Sequence, residues 1–396
     1  MKSFETKILD FFKKNIFYFG GAILLLFSVY LRIIAIPQLN GDLIGGFLPW
    51  VDEFRANGGF IAMRQGVGNY NYAYQTILAA LSYLPFEPIY LVKSIPIFFD
   101  YVLAFASAMV VYNLVEPNRR KLACFIAFFV VLNLPTVFMN SAVWGQCESI
   151  STSAIVLSIW ALTKDRPALA MFLFGVALSF KLQPIVFIPA LLLIYFCSRR
   201  FSVFNFLLIP VGMIVPSLGA IFVGHGIRDI FRVYFSQVSL YAKLTMNYPN
   251  IYCWLPENYS LFSKIGIVLT FTVLLIGYML VILKTKKLEV KDYISVFIWT
   301  GYVCVFFLPA MHERYGYAVE ILFILYSLIN KRLFLQSIGL CLIGAISYLP
   351  FLMGFNPIDQ KYLAVISLII FISATMAFFK DFLSERGEIR LKETKA

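Results

Sequence analysis

Apolar stretches of about 20 residues recur along the chain, and they limit the possible folds more than any other feature. The segments 16–36 and 262–283 each contain a single charged side chain. An α-helix of that length crosses the ~30 Å hydrocarbon layer of a bilayer. Only 14% of the 396 residues are charged, against about 25% in soluble domains. The sequence therefore predicts an all-α polytopic membrane protein.

Hydropathy predicts about 12 transmembrane helices. The stretch 69–85 is apolar, but a span there would invert the charge balance of every later loop. We therefore expect it to form a re-entrant or interfacial helix inside a long first outer loop, 37–93. The expected spans lie near 16–36, 94–114, 121–139, 149–163, 167–180, 184–197, 203–224, 262–283, 292–310, 315–330, 333–350 and 362–380.

Basic residues collect in alternate connections, and this pattern predicts the orientation. Most of the 33 lysines and arginines lie in the two tails and in the connections at 119–121, 164–166, 199–200, 284–291 and 331–332. Cytoplasmic loops are the ones enriched in lysine and arginine, so both termini are expected in the cytoplasm. The net charge of +12 then reflects topology and lipid headgroups, not nucleic acid.

The predicted spans and their orientation divide the chain into five regions. We expect a cytoplasmic amphipathic start, a first transmembrane module that carries the active site, a second outer loop, a C-terminal transmembrane module and a cytoplasmic basic tail. Their predicted limits are 1–15, 16–224, 225–261, 262–380 and 381–396.

With this orientation, the polar residues of four short segments face the outer side. The turns are too brief to leave the membrane surface, so their side chains should meet near its outer boundary. The segments are "NGDLIGGF" with Asp42, "NSAVWGQCES" with Trp144, Gln146 and Glu148, "SFKLQP" with Lys181 and Gln183, and "MHERYGY" with His312, Glu313, Arg314 and Tyr315.

Each of these residues also has a purely structural interpretation. Asp42 can form a turn, Glu148 can complement a helix dipole and Lys181 can snorkel. Arg314 can pair with Glu313 or Glu320. Three further charged residues within helices, Arg32, Lys93 and Asp100, are best treated as pairing between helices.

Metal chemistry has little support in the sequence. The chain has two histidines and no HxxxH or HExxH spacing, so a zinc site is not expected. The six cysteines lack a CxxC pair, and a disulfide between Cys147 and Cys253 is left open. We expect no cofactor and no metal requirement.

Taken together, the outer residues favour phosphate chemistry. Lys181, His312 and Arg314 are cations, and Asp42 is an isolated acid on the same side. Arginine can clamp a phosphate through two hydrogen bonds, and a lone carboxylate can accept a proton from an attacking hydroxyl. Transfer of a group from a lipid-linked phosphate requires this combination.

The four segments resemble, in the same order, motifs of bacterial proteins related to GPI-anchor mannosyltransferases. These belong to the C-type glycosyltransferase superfamily, and the resemblance covers roughly residues 16–330. Two departures stand out: Glu148 stands where the family usually has Asp, and Leu43 where an aromatic usually follows the acid.

The resemblance implies an inverting glycosyltransferase in the bacterial inner membrane. Its donor would be an undecaprenyl-phosphate hexose, with glucose as the first choice, and its acceptor a surface polysaccharide such as O antigen. Asp42 would be the catalytic base. The other roles would be donor phosphate binding by Arg314, His312 and Lys181, and sugar or acceptor binding by Glu148, Gln146, Trp144, Gln183, Glu313 and Tyr315.

Two other functions stay open at this point. A transporter or flippase for lipid-linked saccharides would also have many spans, although such proteins place their charges near the midplane. An O-antigen polymerase or ligase would share the span count and a large outer loop, but it would use diphosphate lipids.

Overall fold

The structure is a computed structural model that describes residues 2–238, 241–284 and 288–383. In the first half, the helices are α1 (Lys2–Lys14), α2 (Ile16–Ala35), α3 (Leu48–Ala56), α4 (Tyr72–Leu81), α5 (Pro88–Leu114), α6 (Arg120–Asn133), α7 (Pro135–Phe138), α8 (Glu148–Thr163) and α9 (Pro167–Phe180).

In the second half, the helices are α10 (Ile188–Ser198), α11 (Leu208–Ile214), α12 (Leu218–Phe222), α13 (Ile227–Val238), α14 (Tyr259–Lys284), α15 (Tyr293–Phe307), α16 (Tyr317–Asn330), α17 (Phe334–Met353) and α18 (Gln360–Leu383). Short 3-10 segments occupy Gly59–Gln65, Gln183–Phe187, Val203–Leu207, Val215–Ser217, Ile251–Trp254 and Val290–Asp292.

Among the described residues, seven helices are long and apolar enough to cross a membrane. They are Ile16–Ala35, Pro88–Leu114, Val203–Phe222, Tyr259–Lys284, Val290–Phe307, Phe334–Met353 and Gln360–Lys380. The pair Arg120–Asn133 and Pro135–Trp144, bent by 45°, would be an eighth. Four shorter apolar helices occupy further predicted spans: Glu148–Thr163, Pro167–Phe180, Gln183–Ser198 and Tyr317–Asn330. The multi-pass helical class is confirmed, and the count of twelve stays a prediction.

The first outer loop folds into short helical pieces. Its apolar stretch 69–85 contains only the ten-residue helix α4, which at 1.5 Å per residue reaches about half of the hydrocarbon thickness. The buried face of α4 and the buried side chains of Phe47, Val51 and Phe54 belong to one hydrophobic cluster. This cluster fixes the loop against α5.

Helix packing is tight in the first module. Helix α5 packs on α6 and α8, and α8 packs on α9. Helices α9 and α11 approach closely where Gly175 faces Gly212. A β-carbon on Gly175 would lie 2.1 Å from the carbonyl oxygen of Ile209, so this crossing needs glycine.

A parallel pair of two-residue strands joins the second outer loop to the segment "MHERYGY". Strand β1 (Thr245–Met246) pairs with β2 (Met311–His312). Backbone N–H groups of Ala310 and Glu313 donate to the carbonyls of Leu244 and Met246, both at 2.9 Å. The turn that contains His312, Glu313 and Arg314 is therefore held by backbone bonds on both sides.

All six cysteines are free, so Cys147 and Cys253 form no disulfide. The predicted basic tail lies outside the described residues from position 384 onward, and so do Lys286 and Lys287.

Candidate active site

Asn40 fixes the segment that carries Asp42. Its side-chain oxygen accepts hydrogen bonds from the backbone N–H of Asp42 (3.1 Å) and Leu43 (3.2 Å). Its amide nitrogen donates to the carbonyls of Val143 (3.2 Å) and Trp144 (3.0 Å). Asn40 is itself buried. One side chain thus joins the first outer loop to the end of the bent helix pair.

Both joined segments contain a π-helical turn. One covers Leu43–Phe47 directly after Asp42, and the other covers Met139–Trp144. Insertions of this kind shift side chains around the helix axis and are frequent at functional sites. Here they aim Asp42 and Trp144 at each other.

The carboxylate of Asp42 accepts two side-chain hydrogen bonds. Trp144 Nε1 donates to Oδ2 at 2.8 Å, and Gln146 Nε2 donates to the same oxygen at 2.6 Å. Asp42 is half-buried, whereas both donors are fully buried. Among the described residues no hydrogen bond to Oδ1 is found, so this oxygen is free to accept a proton.

Gly145, between the two donors, is needed at its position. Its φ of +81° is in the left-handed region that favours glycine. A β-carbon there would lie 2.9 Å from Leu43 Cδ2 and 3.6 Å from Lys93 Cγ. The turn "WGQ" can approach the Asp42 segment this closely only without a side chain.

Beside the acid lies a buried ion cluster centred on Glu148. Lys181 Nζ contacts Glu148 Oε1, and Arg314 Nε lies 3.3 Å from the same oxygen. Lys181 also donates to Gln146 Oε1 at 3.1 Å, and the hydroxyl of Tyr70 donates to that oxygen at 2.8 Å. Gln146 therefore bonds to Asp42 through its side-chain nitrogen, and to Lys181 and Tyr70 through its side-chain oxygen.

Arg314 completes the cluster. Its Nη1 donates to Glu313 Oε1 at 2.9 Å, and its guanidinium carbon lies 5.1 Å from the centre of a Trp144 ring. Burial alone would lower the pKa of Arg314, but Glu148 and Glu313 raise it well above the ordinary value. The guanidinium therefore stays charged beside Trp144, the residue that also holds Asp42.

His312 is part of the same turn but is not a cation at neutral pH. Burial lowers its pKa below the usual 6.5, although Glu313, whose Oε1 lies 3.8 Å from His312 Nδ1, acts in the opposite direction. Its ring packs against Tyr241 and Tyr315, each with ring centres 4.9 Å apart. Its Nε2 has no hydrogen-bond partner among the described residues, so the imidazole can still donate to or accept from a ligand.

A cavity of about 630 Å³ opens beside the cluster. One end is polar, with Lys181, Gln183, His312 and Arg314 in its lining. The rest of the lining contains the polar side chains of Asn69, Gln75, Ser236 and Gln237 but is mainly apolar and aromatic. Its apolar residues include Ile185, Val186, Val233, Ile267, Val305 and Leu308. Buried Gln183 Oε1 in the polar part has no partner among the described residues. The cavity therefore combines a cationic end with an apolar wall.

The structure thus brings the sequence-predicted residues together, with two differences from expectation. His312 is not a cation at neutral pH, and the surroundings of Trp144 differ. We expected its side chain to contact the sugar or the acceptor. The side chain is instead fully buried, and its ring stacks on Phe351 at 4.5 Å. In this structure Trp144 contacts Asp42 through its N–H and Arg314 through its ring, while Gln183 and Tyr315 line the cavity.

Sequence reasoning missed three residues of the site. Asn40 and Tyr70 bond directly to the segments that hold Asp42 and Gln146, and Tyr241 covers His312. Only Asn40 could have been recognised from the sequence, because an Asn side chain often accepts a hydrogen bond from the backbone N–H two residues later. Nothing in the sequence singled out Tyr70 among 23 tyrosines.

No group of three His, Cys, Asp or Glu side chains within the described residues converges in the manner of a metal site. The chain's independence of metals and cofactors stays a prediction.

The sequence profile of glycosyltransferase family 87 matches residues 72–285, a little over half of the chain. A comparison with curated proteins gives no match. The profile match includes Trp144, Gln146, Glu148 and Lys181, whereas Asp42 and Arg314 lie outside it. The chain belongs to glycosyltransferase family 87 and is a membrane glycosyltransferase.

Proposed function

We propose that this member of glycosyltransferase family 87 transfers one hexose, with inversion, from a polyprenyl phosphate to an acceptor hydroxyl. Undecaprenyl phosphate is the carrier and glucose the sugar that we favour. A single observation carries the proposal. The half-buried acid Asp42 lies one indole ring away from the cationic end of a cavity whose wall is apolar.

The cavity suits a lipid-linked phosphate. Its apolar wall can bury isoprene units, which are stabilised by removal from water or by contact with side chains of similar polarity. Its polar end offers Lys181 and Arg314 to the phosphate. A free nucleotide sugar would not need the apolar wall, so a lipid carrier accounts for both ends of the cavity.

Asp42 acts as general base in this proposal. Its Oδ2 is held by Trp144 and Gln146, which leaves Oδ1 for the proton of the acceptor hydroxyl. The hydroxyl oxygen then attacks the anomeric carbon as the bond to the phosphate oxygen breaks. One carboxylate suffices for a single displacement, and a single displacement inverts the configuration.

The leaving phosphate needs charge stabilisation and no acid. It carries one negative charge as a sugar phosphodiester and gains a second on leaving. Arg314 and Lys181 are buried cations held in place by Glu148, so little reorganisation is required as that charge develops. His312 adds a neutral hydrogen-bonding group at the same end. We propose no metal ion or cofactor for this step.

The remaining polar residues would contact the sugar or the acceptor, or would orient the reacting groups. Glu148 pairs with Lys181 and Arg314, and Glu313 pairs with Arg314. Gln146 connects Lys181 to the base. Gln183 and Tyr315 line the cavity, which supports a role for them in contacting the hexose.

We place the reaction at the extracytoplasmic face of the bacterial inner membrane, with both termini in the cytoplasm. The distribution of lysine and arginine supports this orientation. The acceptor that we favour is a surface polysaccharide such as O antigen, on the strength of the motif resemblance.

The proposal is tested with purified protein in proteoliposomes. Undecaprenyl phosphates carrying radiolabelled glucose, galactose or mannose are supplied with an O-antigen acceptor. We expect release of free undecaprenyl phosphate with one of the sugars, and a product of opposite anomeric configuration by NMR. Transfer only from diphosphate-linked oligosaccharides would indicate a polymerase or ligase. Translocation of an intact lipid-linked sugar without release would refute the proposal.

A further inference from the structure

Helix α5 presents three residues of one face to three different segments of the site. Lys93, Pro96 and Asp100 are spaced i, i+3 and i+7, so they lie along the same side of the helix. Each makes a side-chain or carbonyl hydrogen bond to a segment that ends at a proposed site residue. None of the three lines the cavity beside the cation cluster.

Lys93 holds the segment that leads to Asp42. Its side chain is fully buried, and its Nζ donates to the carbonyls of Ile36 (2.8 Å), Gln38 (2.6 Å) and Ala35 (3.4 Å). These carbonyls lie at the C-terminal end of α2 and in the three residues after it, where backbone acceptors lack the usual helical partners. The last of them lies four residues before Asp42. The ammonium therefore fixes the start of the loop that presents the base.

Asp100 holds the segment that leads to Trp144. Its carboxylate is fully buried and accepts hydrogen bonds from Ser141 Oγ at 2.5 Å and from Arg32 Nη2 at 2.7 Å. Arg32 also donates to the carbonyl of Leu132 at 3.0 Å. Ser141 lies within the π-helical turn that ends at Trp144.

The carbonyl of Pro96 joins the third segment to the same face. It accepts a hydrogen bond from Ser149 Oγ at 2.9 Å, and Ser149 directly follows Glu148. Two turns of α5 therefore hold the segments that carry Asp42, its two hydrogen-bond donors and Glu148.

We infer that Lys93 and Asp100 are positioning residues that keep Asp42 in register with Trp144 and Gln146. Buried charges of this kind are often no more stabilising than apolar side chains of similar size, so stability alone does not account for them. The inference rests on the proposed function in one respect, because Asp42 matters for turnover only as the base. A reacting group displaced by about 1 Å can lose about 10²-fold in rate.

The first test compares Lys93→Met with Arg55→Met. Arg55 also donates to three backbone carbonyls, those of Ser82, Leu84 and Phe86, but these lie between α4 and α5. We expect Lys93→Met to lower kcat by about 10²-fold with unchanged donor Kd, and Arg55→Met to leave both unchanged. Equal loss of kcat in both variants would show that general loosening, not positioning, is responsible.

The second test uses a milder pair of variants, in case Lys93→Met does not fold. Ser141→Ala removes the hydroxyl that binds Asp100. Ser158→Ala removes an equally buried hydroxyl, which donates to the carbonyl of Ala170 at 2.8 Å far along α8. We expect about a tenfold lower kcat for Ser141→Ala and no change for Ser158→Ala. A tenfold change in rate corresponds to the free energy of about one hydrogen bond. An unchanged kcat per folded molecule for Ser141→Ala would overturn the inference.

Backbone hydrogen–deuterium exchange separates this inference from the proposed reaction. We expect faster exchange at 36–46 in Lys93→Met and at 139–146 in Ser141→Ala, whatever the donor sugar is. If the wild-type protein releases no undecaprenyl phosphate, the proposed function fails while this exchange result still stands. Unchanged exchange in both segments, or faster exchange without loss of kcat in an active protein, would refute the positioning role.

Discussion

The acid side of the site and its cation side are built in opposite ways. On the acid side, Asn40, Trp144 and Gln146 use their polar atoms in short hydrogen bonds to one another's segments and to Asp42. The cation side consists of Lys181, His312 and Arg314, and it faces a cavity. There His312 Nε2 is buried without a partner among the described residues.

This difference indicates that the acid side fixes the base and the cation side binds the substrate. Closed hydrogen bonds fix the geometry of the base before substrate arrives, which is what preorganisation requires. Buried polar atoms without partners are costly, and a ligand that supplies the missing bond recovers that cost. We therefore expect changes on the acid side to affect turnover, and changes on the cation side to affect both donor binding and turnover.

The largest effect is expected for Asp42→Asn. The variant keeps the shape of the side chain but loses the ability to accept the acceptor's proton, so kcat should fall about 10³-fold. Donor Kd, measured by titration with undecaprenyl-phosphate glucose, should be unchanged. Asp52→Asn, an exposed acid on α3, is the control and should retain full activity. More than a tenth of wild-type turnover in Asp42→Asn would exclude it as the base.

Arg314→Ala should have the next largest effect. It removes a buried cation from the leaving phosphate and leaves Glu313 and Glu148 with less compensation, so kcat should fall about 10²-fold. Donor Kd should rise as well, in contrast to Asp42→Asn. Arg314→Lys should recover only part of the loss, because lysine cannot make the paired hydrogen bonds of a guanidinium. If kcat per folded molecule is normal in Arg314→Ala, the residue is only a structural ion-pair partner.

Gly145→Ala tests how tightly the acid side is built. The added methyl group would press on Leu43, which follows Asp42, so we expect about a tenfold lower kcat with little change in donor Kd. Gly354→Ala is the matched control. Gly354 also has a positive φ, +71°, but a β-carbon there meets nothing within 4 Å. A similar loss of kcat in both variants would mean that backbone strain alone, and not the contact with Leu43, causes the effect.

The smallest effect concerns the neutral member of the cation side. Burial lowers the pKa of His312 below 6.5, so the unfolded chain binds this proton first as the pH falls. His312 therefore stabilises the folded state above about pH 6.5 and loses that contribution at lower pH. Between about pH 7.5 and 5.5, the fall in Tm should be about 2 °C smaller in His312→Gln than in the wild type. An identical fall in both proteins would contradict the lowered pKa.

The convergence of the four segments was predictable from the sequence. Lys181, Glu148 and Arg314 lie in short turns that face one side if the spans alternate, and the structure places them in one ion cluster. Their partners were harder to predict. Arg314 had two candidate partners nearby in the sequence, Glu313 and Glu320, and the structure pairs it with Glu313 and with Glu148 of a distant segment. Pairing between segments depends on helix rotation, which hydropathy does not encode.

The sequence also could not predict which helices are enclosed by protein and which face lipid. The segment Tyr259–Lys284 is more apolar than Val290–Phe307, yet the latter is far more enclosed by protein. In a bilayer the lipid is as apolar as a protein core, so hydrophobicity does not distinguish the two surroundings. For the same reason Lys93 and Asp100 could be recognised as interhelical residues, but the segments that they hold could not.

The most direct test of the account is a structure of the protein with a bound undecaprenyl-phosphate hexose. We predict the phosphate within hydrogen-bonding distance of Arg314 and Lys181, the isoprene chain along the apolar wall of the cavity, and the anomeric carbon facing Asp42. A headgroup bound away from this cavity, or with the sugar separated from Asp42 by the cation cluster, would contradict it.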